Sequence, residues 1–265
     1  MKNIIKKLCF LGLIAFCILP VLLLILNSVA FGWKWGELLP SMYSLRGWTV
    51  LFSEPQLIRA ILTSIFIGIA VILLNFAIAL PAARMLAFYT FKGKAWIETV
   101  LILPILIPSL AVVMGIHLAM IRLGLSDSIV GVILVHLLPT VPYSIKIFRA
   151  GFERLGEKWE EQVVTLGGSR GYAYYSVYFP RMLGSFRSVV FLVFVISLSQ
   201  FALTAIIGGG NVLTLALLYF PFLDSVDTAT IASFSLVFAM LPLGVIAIME
   251  GLFFLLRPNK RLFRM

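Results

Sequence analysis

The 265-residue chain is 62% hydrophobic and only 12% charged, with a formal net charge of +10 and a mean hydropathy of +1.09. Soluble domains hold about 45 to 50% apolar and about 25% charged residues, so an ordinary water-soluble enzyme or binding module is excluded and an all-α polytopic membrane protein is expected. The basic residues sit at the ends of apolar runs instead of on one soluble face with interleaved aromatics, which excludes nucleic acid as partner and leaves membrane lipid.

Apolar runs at Leu8–Ala30, Leu57–Ala82, Val100–Ile121, Ile129–Phe148, Val189–Ile207 and Thr228–Leu256 are each long enough to cross a bilayer, which needs about 20 residues. They predict six transmembrane helices. The first run begins like a secretory signal, with Lys2, Lys6 and Lys7 ahead of it, but its apolar core exceeds the roughly 7 to 15 residues of a cleavable one. It also carries Cys9 and Cys17, which have no disulfide framework or metal-ligand spacing. Trp33, Trp35 and Trp48 follow in the first loop, where amphipathic rings suit a membrane interface.

Basic residues orient the spans. Of the 21 Lys and Arg, all but Lys34, Arg46, Arg59 and Arg122 fall at the N-terminus, in the second loop, in the fourth loop or in the tail. Cytoplasmic segments carry that excess, so both termini and the fourth loop are expected on the cytoplasmic side.

The central part of the fourth loop, 151–181, holds eight charged residues, a quarter of the 32 in the chain: Glu153, Arg154, Glu157, Lys158, Glu160, Glu161, Arg170 and Arg181. Phe152, Leu155, Trp159, Val163 and Leu166 recur at helical spacing and predict an amphipathic helix. Gly167 and Gly168 can end it, since glycine adopts positive φ without a Cβ penalty. Ser169 can cap a second short helix through Tyr172, Tyr174, Tyr175 and Tyr178, which should stop near Phe179 because Pro180 disfavours helical geometry before it.

Glu161, Gln162 and Val163, three residues, Gly167, nine residues, then Val177, Tyr178, Phe179 and Pro180 resemble the EAA loop of permease subunits in binding-protein-dependent ABC importers. That family has Glu-Ala-Ala at the start, an aliphatic residue where Val177 stands, and Pro at the end; here Gln162 and Val163 replace the alanines and Phe179 the usual leucine. The resemblance covers roughly Leu57–Leu256 and implies a type I importer permease fold with a coupling helix that docks on an ATPase subunit. Glu161 would then contact that subunit, Gly167 would make the turn and Pro180 the exit toward the fifth span. It implies a five-helix core at 57–256, with 1–56 as an added helix and loop and 257–265 as a basic tail. It further implies ABC ATPase subunits, a second permease subunit, identical or paralogous, an extracytoplasmic solute-binding protein, and a prokaryotic inner membrane. A second stretch, Ser197-x-x-Gln200-Phe201 running into Gly208–Gly210 and Thr214-Leu215, looks like permeases for polyamines, thiamine or ferric ion.

Asn75, His117, His136, Ser197, Ser199, Gln200 and Thr204 are polar groups within predicted spans, where such groups face protein or a water-filled path. Ser197, Gln200 and Thr204 share one helical face, which fits either a translocation path or hydrogen bonding between helices. His117 and His136 fit structural hydrogen bonding, the path, or a proton relay or metal pair. Pro104, Pro108, Pro139 and Pro142 are expected to kink or break their helices. The Gly208–Gly210 run reads as a turn on the outer side and carries no P-loop pattern. With no Walker-type lysine, HExxH or GxSxG, no catalytic residue, metal or cofactor is expected, and ATP belongs to a partner subunit. The alternative is a secondary transporter driven by an ion gradient; it commonly uses intramembrane carboxylates or inverted repeats, and Glu250 is the one acid near a span. A membrane-embedded enzyme would need a polar catalytic cluster that these residues do not assemble.

Overall fold

The computed structural model describes residues 2–33, 36–224 and 227–256. Trp35 and the basic tail lie outside the described residues. Helix α1 (Lys2–Val29) leads into a two-residue antiparallel ladder, β1 (Ala30–Phe31) with β2 (Met42–Tyr43), in which Ala30 opposes Tyr43. Next come α2 (Arg46–Ser53), α3 (Leu57–Phe88), α4 (Lys94–Leu106), α5 (Ser109–Arg122) and α6 (Ile129–Leu155). The charged loop then folds as α7 (Lys158–Thr165), α8 (Arg170–Ala173), a π turn (Tyr174–Tyr178) and α9 (Phe179–Arg181). It is followed by α10 (Leu183–Leu198), α11 (Phe201–Gly208), α12 (Leu215–Tyr219), a 3-10 turn (Phe220–Asp224) and α13 (Thr228–Leu256).

Among the described residues, four helices are long and apolar enough to cross a membrane, within Cys9–Val29, Leu57–Phe88, Ile129–Leu155 and Thr228–Phe254. A fifth span is reached if the pair Gly171–Arg181 and Leu183–Leu198, bent by 78°, counts as one. The all-helical, polytopic expectation is met, and the six continuous spans are not. The third expected span is two shorter helices, with Ile107 extended (φ −85°, ψ 134°) immediately before Pro108, the geometry that the proline ring favours in the residue before it. The fifth expected span divides between α10 and α11. No glycine or proline makes that break: α10 closes on Ser199, whose N–H bonds to Val195 O, and Gln200 leaves helical geometry (φ −78°, ψ 76°) before α11 begins. Pro104, Pro139 and Pro142 remain inside their helices.

The chain resolves into two compact units, one running up to Ala60 and including Leu218–Leu241, the other comprising Ile61–Leu217 and the segment from Pro242. In the first unit, Gly47 on α2 lies so close to the Ala229 carbonyl that a side chain has no room there, and Arg46 pairs with Asp227 at 3.5 Å. Tyr219 and Phe222 both stack on Phe234. Trp48 stacks on Phe52, and the Trp33 indole donates to the Glu37 carbonyl.

The second unit is built around α6, which packs along α10 and α11. Its start is fixed by Ser128, whose Oγ accepts from Gly131 N at 3.0 Å, an N-cap. Phe76, Phe148, Phe179, Phe186 and Phe253 form one edge-to-face cluster with centroids 5.0 to 6.4 Å apart, and such pairs add about 0.5 to 1.5 kcal/mol each beyond burial. A second cluster of Phe88, Phe152, Tyr174 and Tyr178 lies where the charged loop joins α3 and α6.

Candidate functional site

The charged loop is an elbow with defined corners. The predicted apolar stripe does not lie on one helix: α6 ends at Gly156 (φ +81°), so Phe152 and Leu155 belong to α6 while Trp159 and Val163 belong to α7. Leu166 is 88% exposed, outside any buried stripe. Helix α7 ends in a Schellman motif, with Gly168 N bonded to Val163 O at 2.8 Å and Gly167 N to Val164 O at 2.9 Å. Gly167 takes φ +87°. Gly168 is required for space, since a Cβ there would stand 2.6 Å from Val163 Cγ1. Val163 is one of the two residues that replace the family alanines, and the missing side chain at 168 makes room for it.

Ser169 Oγ then accepts from Tyr172 N at 3.1 Å, capping α8 as expected. The helical trace does not stop at Phe179. It widens into the π turn, where Phe179 N bonds to Tyr174 O, and passes through Pro180, which sits in the first turn of α9 where a helix tolerates a missing N–H. The chain turns at Met182 into α10.

Two adjacent carboxylates of α7 have opposite surroundings. Glu161 is exposed and, with Lys158, Gln162, Thr165 and Leu166, lines a groove of about 500 Å³. Glu160 is 4% exposed and holds Arg84 of α3 in a two-pronged pair, Nη2 to Oε1 at 2.6 Å and Nε to Oε2 at 2.9 Å. Tyr178 Oη donates to Glu160 Oε2 at 3.3 Å. The Arg84 guanidinium lies over Phe88 and Tyr89, and Arg181 of α9 lies 3.5 Å over the Trp159 ring of α7.

The intramembrane polar residues join into a chain. Asn75 Nδ2 donates to Val71 O at 2.8 Å and Thr140 Oγ1 at 2.9 Å, and Ser144 Oγ donates to Asn75 Oδ1 at 2.7 Å. Thr140 Oγ1 in turn donates to His136 O at 2.7 Å. The His136 ring reaches Ser197 Oγ through Nδ1 at 2.9 Å and Thr204 Oγ1 through Nε2 at 3.0 Å. Because the Thr204 proton goes to Gln200 O at 2.6 Å, Nε2 carries the ring proton and Nδ1 accepts from Ser197. One imidazole thus spans the break between α10 and α11, and α3, α6, α10 and α11 are tied together.

Residues 79–261 match the family described as binding-protein-dependent transport system inner membrane component. The chain belongs to that family. This permease is 30% identical over 135 residues to the molybdate/tungstate transport system permease protein of Pyrococcus abyssi, covering 51% of this chain and 54% of that one, so it spans about half of that relative's length. It is 25% identical over 232 residues to the putative 2-aminoethylphosphonate transport system permease protein of Salmonella typhimurium, across 87% and 86% of the two chains. The ferric transport system permease protein of Actinobacillus pleuropneumoniae is 24% identical over 215 residues, across 72% and 31%. The crystal structure of a bacterial ABC transporter involved in the import of the acidic polysaccharide alginate has the same fold, with a TM-score of 0.72 at 15% identity over 93% of this chain and 95% of that one.

Within the permease, Glu161, Gly167, Gly168, Ser169, Val177 and Pro180 all fall on the elbow, with Val177 buried in the π turn. Asn75, His136, Ser197 and Thr204 meet in the buried chain. Gln200 is half-buried at the helix break, so the single face expected for Ser197, Gln200 and Thr204 is interrupted. His117 is half-buried and lines a separate recess of about 570 Å³ with Ile121, Ser126, Asp127 and Gly209. Among the described residues no hydrogen bond joins it to His136, so the relay or metal pair is not assembled, and no group of three or more His, Cys, Asp or Glu side chains is placed to hold a metal. Glu250, the acid considered for a gradient-driven mechanism, accepts from Arg187 Nη2 at 2.6 Å. Arg84, Thr140 and Ser144 escaped the sequence reading, and Glu160 was read there only as one of the charges of the loop. His136, Thr140 and Ser144 recur every four residues on α6, a polar stripe that spacing alone exposes.

Proposed function

We propose that this permease forms half of the transmembrane path of an ATP-driven ABC importer. The observation that carries the reading is the elbow: a short helix with an open, polar and apolar face, closed at its C-terminal end by a Schellman turn, tied to α3 by a buried ion pair and to α9 by an arginine–ring stack. A lever of this kind suits the transfer of movement from a docked subunit. The family supports an inner-membrane location. The distribution of Lys and Arg supports a cytoplasmic elbow and termini.

The permease works with ATPase subunits that bind the nucleotide, with a second permease half and with an extracytoplasmic solute-binding protein; it has no cofactor of its own. In this plan 57–256 is the permease core, 1–56 an added helix and loop, and 257–265 a basic tail. The solute is small and hydrophilic. The polyamine, thiamine and ferric group suggested by the sequence is widened by relatives named for molybdate/tungstate and 2-aminoethylphosphonate. Gln200 and His117, which retain open surface, are assigned to the path, and Asn75, His136, Ser197 and Thr204 to holding the helices that frame it.

The test is affinity purification of the chain from its native membrane in mild detergent, with mass spectrometry of what stays bound in fixed ratio. An ATPase with a Walker motif and a solute-binding protein are expected, and the latter is then screened against the solutes named above. A chain that purifies alone, under conditions that keep other importers whole, overturns the reading in favour of an ion-gradient transporter.

A further inference from the structure

We propose that Arg84 and Glu160 are positioning residues that lock the coupling helix to α3, so that α7 and the adjoining end of α3 move as one body while the neighbouring Glu161 faces the ATPase. The inference rests on the importer reading and adds to it a division of labour between two consecutive carboxylates.

Helix α7 is eight residues long, and among its described side chains the buried one is Glu160. A short helix that needed only an anchor would bury a leucine, which slides and rotates at little cost. An arginine fork against a carboxylate fixes both distance and orientation. Here the fork is complete, the side chains are 12% and 5% exposed, and the pair joins residues 76 positions apart. The Tyr178 hydroxyl takes a further lone pair of Glu160, and the rings of Phe88 and Tyr89 flank the guanidinium. Breaking such a pair strands a buried charge, so the joint has no partly open state of similar energy. Tyr178 belongs to the π turn, so the same carboxylate ties α7 both to α3 and to the exit of the elbow.

The test uses the whole complex with its co-purifying ATPase. Spin labels are placed at Gln162 on α7 and Ile69 on α3, both exposed, in a background with Cys9 and Cys17 replaced by serine. Ile69 lies about 15 residues before Arg84, roughly 22 Å along the helix, which suits pulsed electron-resonance distances. With unmodified Arg84 and Glu160, one narrow distance is expected without nucleotide and after ATP–vanadate trapping. Arg84→Lys keeps the charge and loses the fork, so it should assemble normally yet broaden the distribution at least twofold; Glu160→Gln should broaden it more. Glu161→Gln should leave the distance narrow and reduce the ATPase retained.

A distance that shifts by more than about 3 Å between nucleotide states in the unmodified pair, or stays narrow in Arg84→Lys, overturns the lock and leaves the importer reading standing. Absence of any bound ATPase overturns both.

Discussion

Replacing His136 with alanine tests whether the buried polar chain holds the bundle. The ring is 1% exposed and bridges Ser197 on α10 and Thr204 on α11. Hydrogen bonds between membrane helices average about 0.6 kcal/mol and reach about 1.7, so the two together contribute about 1 to 3 kcal/mol. The vacated ring volume adds a packing loss, since emptying a buried site of this size costs about 2 kcal/mol or more. The expected total is about 3 to 5 kcal/mol. Thr204→Val, which keeps the volume but removes both the bond from His136 Nε2 and the bond to Gln200 O, should cost about 1 to 2 kcal/mol. The assay is unfolding of the purified permease in mixed micelles at rising SDS fraction, followed by tryptophan fluorescence. A His136→Ala midpoint within about 1 kcal/mol of the native one refutes the bridging role.

Gly167→Val forces a β-branched residue to φ +87°, a strain of about 1 to 3 kcal/mol; the chain should insert at normal levels while ATP hydrolysis proceeds without uptake, read as the ratio of the two in proteoliposomes. Gly168→Ala should loosen the elbow and raise the rate of limited proteolysis there, and Val163→Ala in the same chain should restore it in part, because it removes the side-chain clash and leaves the tight approach to the Val163 carbonyl. Ser169→Ala removes the cap of α8 at about 1 kcal/mol, visible as faster amide exchange at 170–173. Gly131→Ala drives a Cβ into the Leu125 carbonyl and should lower the yield of folded permease several-fold by size-exclusion chromatography.

Composition and periodicity located the membrane-bound helices because the apolar runs are long, but they could not locate the breaks. Pro108 announces one. Ser199 and Gln200 do not, since serine and glutamine are ordinary polar residues within membrane helices and carry no stop signal of their own. The elbow was legible through Gly167, Gly168 and Ser169, whose local geometry depends on their own chemistry. Glu160 was not, because consecutive residues point about 100° apart on a helix and only Arg84, brought in by the fold, decides which carboxylate turns inward. Gly156 was overlooked as a stop, which merged two helices into one stripe.

The π turn at Tyr174–Tyr178 gives the spacing of the loop its meaning. A π turn is an α-helix with one surplus residue. Deleting any one of these five would collapse it to α geometry, rotating Pro180 and the start of α10 by about 100° relative to α7 and drawing them closer by about 1.5 Å. Tyr178 would then swing off Glu160, and Phe179 out of the phenylalanine cluster. The interval between Gly167 and Val177 is therefore an angular setting and not a length of tether, and a one-residue error there is a steering fault.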